Sequence, residues 1–290
     1  MRVVPGDVVD TITGEAGTVS EAQREQLRED LGLNDPFAVQ YINWLRDLIL
    51  LDPGESLASR RSIMAEIRPR LLVSAELAAG AIILSVLIAI PLGTISAIKQ
   101  DSWIDYVIRV ISIGGLSMPS FWLATLVLMV LGRYFGWLPP LEYHQLWDSP
   151  WENIKQLFWP VVILGYALSA SVSRMTRSAV LDALREDYVR TARAKGLTAL
   201  KVNTRHVLRN ALLPVVTITA GQFGHLVGGA VVTETIFVLP GMGSYIVSAI
   251  TLRDYPAVQF TVMIMAASFV LINLVTDLTY GLLDPRIRYA

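Results

Sequence analysis

Five runs of apolar residues occupy most of the chain after residue 70 and are separated by shorter polar stretches. At about 1.5 Å per residue, helices of this length approach or exceed the hydrocarbon thickness of a bilayer, which is about 30 Å. Backbone groups in lipid must find hydrogen-bond partners within their own segment, so the runs predict helices rather than strands. The pattern therefore predicts an all-α polytopic membrane protein with five visible transmembrane helices, over residues 71–98, 110–132, 157–173, 211–233 and 255–276.

The first 70 residues are polar and contain no comparable run. Residues 19–33 have the pattern of a charged surface helix opened by Ser20. Farther along, an amphipathic stripe is formed by Tyr41, Trp44, Leu45 and Leu48. Such a stripe suits either a membrane surface or the outer face of the protein itself, and the sequence favours the second.

The most strongly charged stretch within the apolar part is residues 174–211, with nine Lys or Arg against three Asp or Glu. Apolar positions recur there at spacings of three and four, which predicts one helix with a stripe of Leu181, Leu184, Tyr188 and Ala192. Gly196 is predicted to stop this helix, with Lys195 in its last turn. A second short helix should follow, and Pro214 should mark the entry to the next span.

Lys and Arg are distributed unevenly between the two sets of loops. Thirteen lie in one set, namely Lys99, Arg109, the nine in residues 174–211, Arg286 and Arg288; the alternate set after residue 132 has Arg133, Lys155 and Arg253. The positive-inside rule therefore predicts a cytoplasmic C-terminus. The chain then divides into an extracytoplasmic N-terminal region (1–70), a transmembrane domain (71–283) and a cytoplasmic tail (284–290). Since five spans place residues 1–70 outside, we expect a further transmembrane helix upstream of Met1.

A turn with the sequence Leu239-Pro-Gly-Met-Gly243 precedes a short apolar stretch, residues 244–252, and a second turn that contains Pro256. This chemistry predicts an external re-entrant or gate-capping helix between two spans. A plain connecting loop is the alternative.

The basic stretch carries a family resemblance. Its wording Asp187-Tyr-Val-Arg-Thr-Ala-Arg-Ala-Lys-Gly-Leu197, followed by Arg209-Asn-Ala-Leu-Leu-Pro214, resembles the EAA-type loop of ABC importer permeases, in their peptide/nickel branch. The resemblance extends over nearly the whole chain, from Pro5-Gly6-Asp7 to Asp284-Pro285-Arg286. Arg190 stands where the general loop has its Glu, and the distance from Gly196 to Pro214 exceeds the general spacing. Both departures are similar to that branch rather than to sugar permeases.

The resemblance implies an ABC type I importer permease fold in a prokaryotic inner membrane. It makes residues 174–211 a coupling loop, in which the contacts to an ATPase would come from Glu186, Tyr188, Arg190, Thr191, Ala192, Arg193, Ala194, Lys195 and Gly196. The implied partners are membrane lipid, a second homologous permease in a heterodimer or a homodimer, two ATPase subunits, and a soluble or lipid-anchored substrate-binding protein. The chain lacks the phosphate-binding pattern Gly-x-x-x-x-Gly-Lys-Ser/Thr, so we expect no cofactor on it and place ATP and magnesium on the partner subunits.

Polar groups in or just after the fourth run, and a glycine on the same helix face, are candidates for the translocation pathway, because polar groups are costly at membrane depth. They are Gln222, His225, Gly229 and Glu234. The face through Thr217, Gly221, Gly224 and Gly228 is instead assigned to helix packing, which small residues favour. Three carboxylates near the ends of runs, Glu76, Glu234 and Asp277, are also explained by interfacial solvation alone.

Composition excludes several other functions. The chain is 53% hydrophobic and 17% charged and contains no Cys, which excludes disulfides, thiolate metal sites and a Cys nucleophile. Its three His residues are scattered, which argues against a metal site, and no Gly-x-Ser-x-Gly elbow occurs. The basic stretch fits membrane topology better than nucleic-acid binding. An ion-coupled secondary carrier, with a buried carboxylate or a broken helix near the membrane centre, and a structural or sensory anchor remain as alternatives.

Overall fold

The computed structural model describes Val9 and residues 20–30, 32, 34–50 and 52–283; the side chains at positions 27, 30, 225, 227–229, 277 and 279–283 lie outside that description. The regular structure among these residues is helical. Extended backbone pairs among them at an isolated bridge between Glu55 and Ser62. The all-α prediction is confirmed. The helices are α1 Glu21–Asp30, α2 Phe37–Ile49, α3 Ile63–Ile98, α4 Trp103–Ser117, α5 Ser120–Phe135, α6 Pro150–Leu184, α7 Asp187–Ala194, α8 Ala199–Lys201, α9 Leu208–Gly229, α10 Val231–Ile236, α11 Met242–Thr251 and α12 Tyr255–Leu283, with a π-helical segment, Val202–Val207, between α8 and α9.

Within the described residues, three helices are long and apolar enough to cross a membrane: α3, α6 and the Tyr255–Thr276 part of α12. The predicted unbroken helix over residues 110–132 is wrong. These residues belong to α4 and α5, which meet at a bend of 98° and together make a fourth candidate span. The bend has a local cause, since Met118 is extended (φ −94°, ψ 121°) and Pro119 follows it. A residue before proline avoids the helical conformation, and proline has no N–H to continue the helix.

The fourth apolar run, residues 211–233, forms α9 and α10, which are not among those candidate spans. The break between them is at Ala230. Pro214, which is predicted to mark the entry to this span, lies inside α9, which begins six residues earlier. Membrane helices tolerate interior proline where neighbours satisfy the freed backbone groups, and α3 and α6 likewise contain prolines.

The two longest helices, α3 and α6, pack along each other and form the centre of the molecule. Small residues let their backbones approach closely. A Cβ at Gly93 would lie 2.6 Å from the carbonyl oxygen of Ser173, and one at Gly165 would lie 3.0 Å from that of Ala81. Close backbone approach through small residues is how helices gain packing energy in lipid, where the hydrophobic effect does not drive them together. The helices α4, α9, α11 and α12 also contact this pair or each other.

Ser20 opens α1 as predicted, with a reciprocal cap: its Oγ accepts from the N–H of Gln23, and its N–H donates to Oε1 of Gln23. The amphipathic stripe of α2 divides between two environments. Leu48 packs on the apolar cluster at the starts of α3, α11 and α12. Tyr41, by contrast, is 60% exposed, so the stripe does not pack wholly on the protein.

At the end of the bundle where α3 begins, Glu76 has protein partners rather than interfacial solvent alone. Its Oε2 accepts from the hydroxyl of Tyr143 at 2.6 Å and from Nδ2 of Asn153 at 3.0 Å. Burial, and then the Glu76 carboxylate, raise the pKa of Tyr143 above its ordinary value, so the phenol stays protonated and keeps donating. These bonds join α3 to α6 and to the segment that connects α5 with α6.

Candidate functional site

The coupling loop begins as part of α6 and turns sharply at two residues. The helix α6 ends at Leu184, and α7 begins at Asp187 after an extended Glu186 (φ −69°, ψ 147°). The single helix predicted over residues 181–192 is therefore wrong. Arg190 pairs with Asp187 at 3.6 Å, and both side chains are exposed, so the pair adds little stability.

The helix α7 ends at the position that the sequence predicts, just before Gly196. Gly196 has φ +78°, its N–H donates to the carbonyl of Arg193 at 2.9 Å, and the N–H of Leu197 donates to the carbonyl of Ala192 at 3.3 Å. This is a Schellman motif, in which a left-handed residue closes the last helical turn. Glycine adopts that conformation without strain. The prediction that Gly196 terminates the helix is confirmed.

An apolar cluster beneath α7 is formed by α7 itself and four other parts of the chain. Val189 and Ala192 of α7 pack on α6, on the π-helical segment and on the ends of α3 and α9, through Ala97, Val180, Ala183, Val202, Val207 and Ala211. Val189 is fully buried, whereas Tyr188 is 38% exposed. The sequence pattern had Tyr188 facing inward and missed Val189. The cluster therefore joins α7 to three long helices, α3, α6 and α9.

The outer face of α7 is solvent-exposed and basic. Eight of the nine predicted contact residues are exposed and Ala192 alone of them is buried: the exposed ones are Glu186, Tyr188, Arg190, Thr191, Arg193, Ala194, Lys195 and Gly196. Three exposed cations thus lie within six residues of one another, namely Arg190, Arg193 and Lys195. The helix α7 is packed on the apolar cluster beneath it. A basic surface of this kind can pair with carboxylates on a partner protein.

A second group, which the sequence analysis missed, fixes the helices that carry the coupling loop. Arg177 of α6 binds the buried carboxylate of Asp105 in bidentate fashion, at 2.8 and 3.0 Å, and Ser96 of α3 donates to the same carboxylate. Asp105 also lies in a Ser-x-x-Asp cap, where its N–H donates to Oγ of Ser102. That cap is a local signal in the sequence. The partnership with Arg177, 72 positions away, has no such signal.

Of the candidate pathway residues, Gln222 lies in a helix interface, where it donates to Oγ of Ser171 on α6 at 2.5 Å. Gly224, which the sequence assigned to helix packing, lies against α12, since a Cβ there would be 2.8 Å from the ring of Phe269. The side chain of His225 and the surroundings of Gly229 lie outside the described residues.

Glu234 is 1% exposed, and its carboxylate caps α11. It accepts from Oγ of Ser74 at 2.7 Å and from the N–H of Ser244 at 3.0 Å. A Cβ on Gly241 would overlap its carboxyl group, at 2.6 Å from Oε1, so the turn before α11 fits the carboxylate because it has no side chain there. A carboxylate at a helix N-terminus is stabilised by the free N–H groups and the helix dipole. This enclosed position favours a structural role over contact with a solute.

A comparison against known families agrees with the fold. Residues 89–289 match the family described as "Binding-protein-dependent transport system inner membrane component". The chain belongs to this family. Relatives align with the whole of it: the dipeptide transport system permease protein DppB of Alkalihalophilus pseudofirmus is 41% identical, DppB of Escherichia coli is 37% identical, and a putative peptide transport system permease of Brucella abortus is 38% identical. The alignments cover 92%, 92% and 91% of those three proteins.

Two solved structures share the fold at low sequence identity. A permease-fold chain of the MetNI methionine ABC transporter, in inward-facing conformations, has a TM-score of 0.64 at 14% identity, covering 76% of this chain and 97% of that one. A chain of an amino acid ABC transporter crystallised with histidines has a TM-score of 0.51 at 15% identity, covering 75% and 92%. Membership makes the chain a multi-pass permease subunit of an ATP-driven importer, a transport subunit rather than an enzyme. It also favours this function over an ion-coupled secondary carrier. Members of the family work with ATPase and substrate-binding components.

Proposed function

We propose that the chain is the permease half of a peptide importer and that α7 is its contact with an ATPase. The observation that carries the proposal is the exposed basic face of α7 on a helix closed by Gly196 and packed on the bundle. Relatives of comparable length that are named as dipeptide and peptide permeases support the substrate class.

In this proposal α7 of each permease fits a groove on one ATPase subunit. When the two ATPases close on ATP and magnesium, the α7 helices are drawn together. The apolar cluster beneath α7 then moves α3, α6 and α9 as one unit, because its side chains come from all of them. The result is a rocking of the bundle between inward-open and outward-open states, the rigid-body form of alternating access.

In this arrangement α9 is a fifth crossing of the membrane beside α3, the bent pair α4 and α5, α6 and α12. The coupling loop and the tail 284–290 are then cytoplasmic, and the chain before α3 faces the substrate-binding protein. A homologous second permease completes the channel in a heterodimer, with a homodimer of this chain as the alternative. The excess of Lys and Arg in the coupling loop supports this orientation.

Dipeptide uptake by proteoliposomes tests the proposal. The assembled transporter should accumulate a labelled dipeptide when ATP is inside and the substrate-binding protein is outside, and ionophores should leave the uptake unchanged. Uptake that is abolished by ionophores and independent of ATP would contradict it. Replacing the dipeptide by a free amino acid or an oligosaccharide in the same assay tests the substrate class separately.

Arg193→Glu should weaken co-purification of the ATPase by about tenfold at low salt and by much less at high salt, because a reversed charge repels a carboxylate-lined groove and salt screens that repulsion. Arg205→Glu is the matched control, since it makes the same charge change on the π-helical segment. Co-purification measured across a salt series reports the effect. Equal loss at every ionic strength would indicate an apolar contact through Tyr188 instead.

Single cysteines on α9 should locate the pathway, because the chain has none of its own. Thr217 is exposed, and a Cβ at Gly221 would meet no described atom within 4 Å, whereas Ile218 and Gln222 pack on the bundle. Cysteines at 217 and 221 should therefore react with a water-soluble thiol reagent at a rate that changes with nucleotide, and cysteines at 218 and 222 should react at least tenfold more slowly. This reverses the face assignment made from the sequence. Faster labelling at 218 and 222 would restore the original assignment.

A further inference from the structure

A basic cavity lies between α4 and α6, beside the start of the coupling loop. Its volume is about 550 Å³. Four arginines line it, Arg109, Arg174, Arg177 and Arg185, together with Asp182. Ala170 also lines it and packs on α4, where a Cβ at Gly115 would lie 3.1 Å from the Cβ of Ala170.

The cations of this cavity are incompletely neutralised by the protein. Arg177 is paired with Asp105. Across the described residues, Arg109, Arg174 and Arg185 make no ion pair, and neither does Asp182. Four guanidinium groups against two carboxylates leave a local excess of two positive charges. Guanidinium groups bind phosphate in bidentate geometry, and the hydroxyls of Ser112 and Ser178, which also line the cavity, are further donors.

The other part of the cavity is apolar and continues onto an open helix face. Ile113 and Leu116 line it and are 57% and 46% exposed, and Val110 on the same helix is 67% exposed. Large apolar side chains that a membrane protein leaves uncovered are solvated by acyl chains. The site thus offers cations for a phosphate at one end and a hydrocarbon surface leading away from it.

We propose that this cavity binds one anionic phospholipid, with its phosphate among Arg109, Arg174 and Arg185 and its acyl chains along α4. Basic pockets between membrane helices near the cytoplasmic surface have the chemistry that such headgroups require. Arg185 is the residue that follows α6 and precedes the turn into α7, so a bound lipid would fasten the base of the coupling loop to α4. A soluble phosphate lacks the acyl chains that the apolar part would hold.

Native mass spectrometry of the full-length chain, purified with its co-purifying subunits and mixed with phosphatidylglycerol, tests the proposal. One phosphatidylglycerol per permease chain should stay bound under conditions that remove phosphatidylcholine. The double variant Arg109→Gln/Arg174→Gln should hold it about 30-fold more weakly. Arg205→Gln, which removes a cation of the coupling loop outside the cavity, should retain it.

Thermal unfolding of the wild-type protein gives a result that does not depend on any variant folding. Phosphatidylglycerol should raise its midpoint temperature, whereas equal phosphatidylcholine or free glycerol phosphate should not. Equal retention of the two lipids, or an unchanged affinity in the double variant, would overturn the proposal. A matching stabilisation by glycerol phosphate would also overturn it, because the site would then take a soluble phosphate.

Discussion

Gly196→Val should abolish substrate-stimulated ATP hydrolysis while the chain still inserts into the membrane. Gly196 holds a left-handed conformation (φ +78°), which a β-branched residue adopts at a cost of roughly 1–2 kcal/mol. A Cβ there would meet no described atom within 4 Å, so the whole effect is on the backbone. The strain is relieved by opening the Schellman turn, which redirects the chain between α7 and α8. The measurement is ATPase activity of the reconstituted transporter with and without the loaded substrate-binding protein.

A matched control exists at the end of α5. Gly136 is also left-handed, with φ +63°, and a Cβ on it would likewise meet no described atom within 4 Å. Gly136→Val therefore imposes a similar backbone strain away from the coupling loop, and stimulated hydrolysis should persist. If Gly196→Val retained full stimulation, or if Gly136→Val lost it equally, α7 would not be the coupling element.

Gly241→Ala should lower the free energy of unfolding by about 3 kcal/mol. The added Cβ would overlap the carboxyl group of Glu234, at 2.6 Å from Oε1, which is closer than real contacts allow. The carboxylate cannot move away without breaking its hydrogen bonds with Oγ of Ser74 and the N–H of Ser244. Either the turn before α11 must change its conformation, or the Glu234 carboxylate must leave the N-terminus of α11. The yield of folded protein and the unfolding temperature in detergent measure this effect.

Gly221→Ala is the control for that substitution. A Cβ at Gly221 meets no described atom within 4 Å, and alanine is favoured over glycine in a helix, so stability should be unchanged or rise by about 0.5 kcal/mol. Glu234→Ala combined with Gly241→Ala should recover part of the loss, because removing the carboxylate makes space for the new methyl group. Strictly additive losses in that double variant would show that the two positions do not interact, and would contradict the capping geometry.

Features with local causes could be predicted from the sequence. The end of α7 depends on one glycine and its own turn, and Ser20 caps its own helix. The break at Met118-Pro119 had an equally local cause, since a proline follows, but an uncharged apolar run concealed it. Local rules succeed where the competing tertiary forces are small.

Features with distant partners could not be predicted. Val189 rather than Tyr188 is buried because α7 starts after a turn at Glu186, which shifts the face that meets the bundle. Glu234 reads as a polar group near a membrane run, yet it is a helix cap whose partners lie 160 and 10 positions away. Membrane helices carry polar residues both for packing and for transport, and sequence spacing alone does not separate these uses.

The central claim is that α7 docks on a separate ATPase, and cross-linking from one introduced cysteine tests it most directly. Arg190 is exposed on α7, and Arg190→Cys places a single thiol there in a chain without others. A bifunctional reagent that joins this thiol to an amine should give a permease–ATPase adduct whose yield changes when ATP binds. Arg133→Cys, on α5, should give none. The claim would be contradicted if the thiol introduced by Arg190→Cys reacted fully with a monofunctional reagent in the assembled transporter and still formed no adduct with the ATPase.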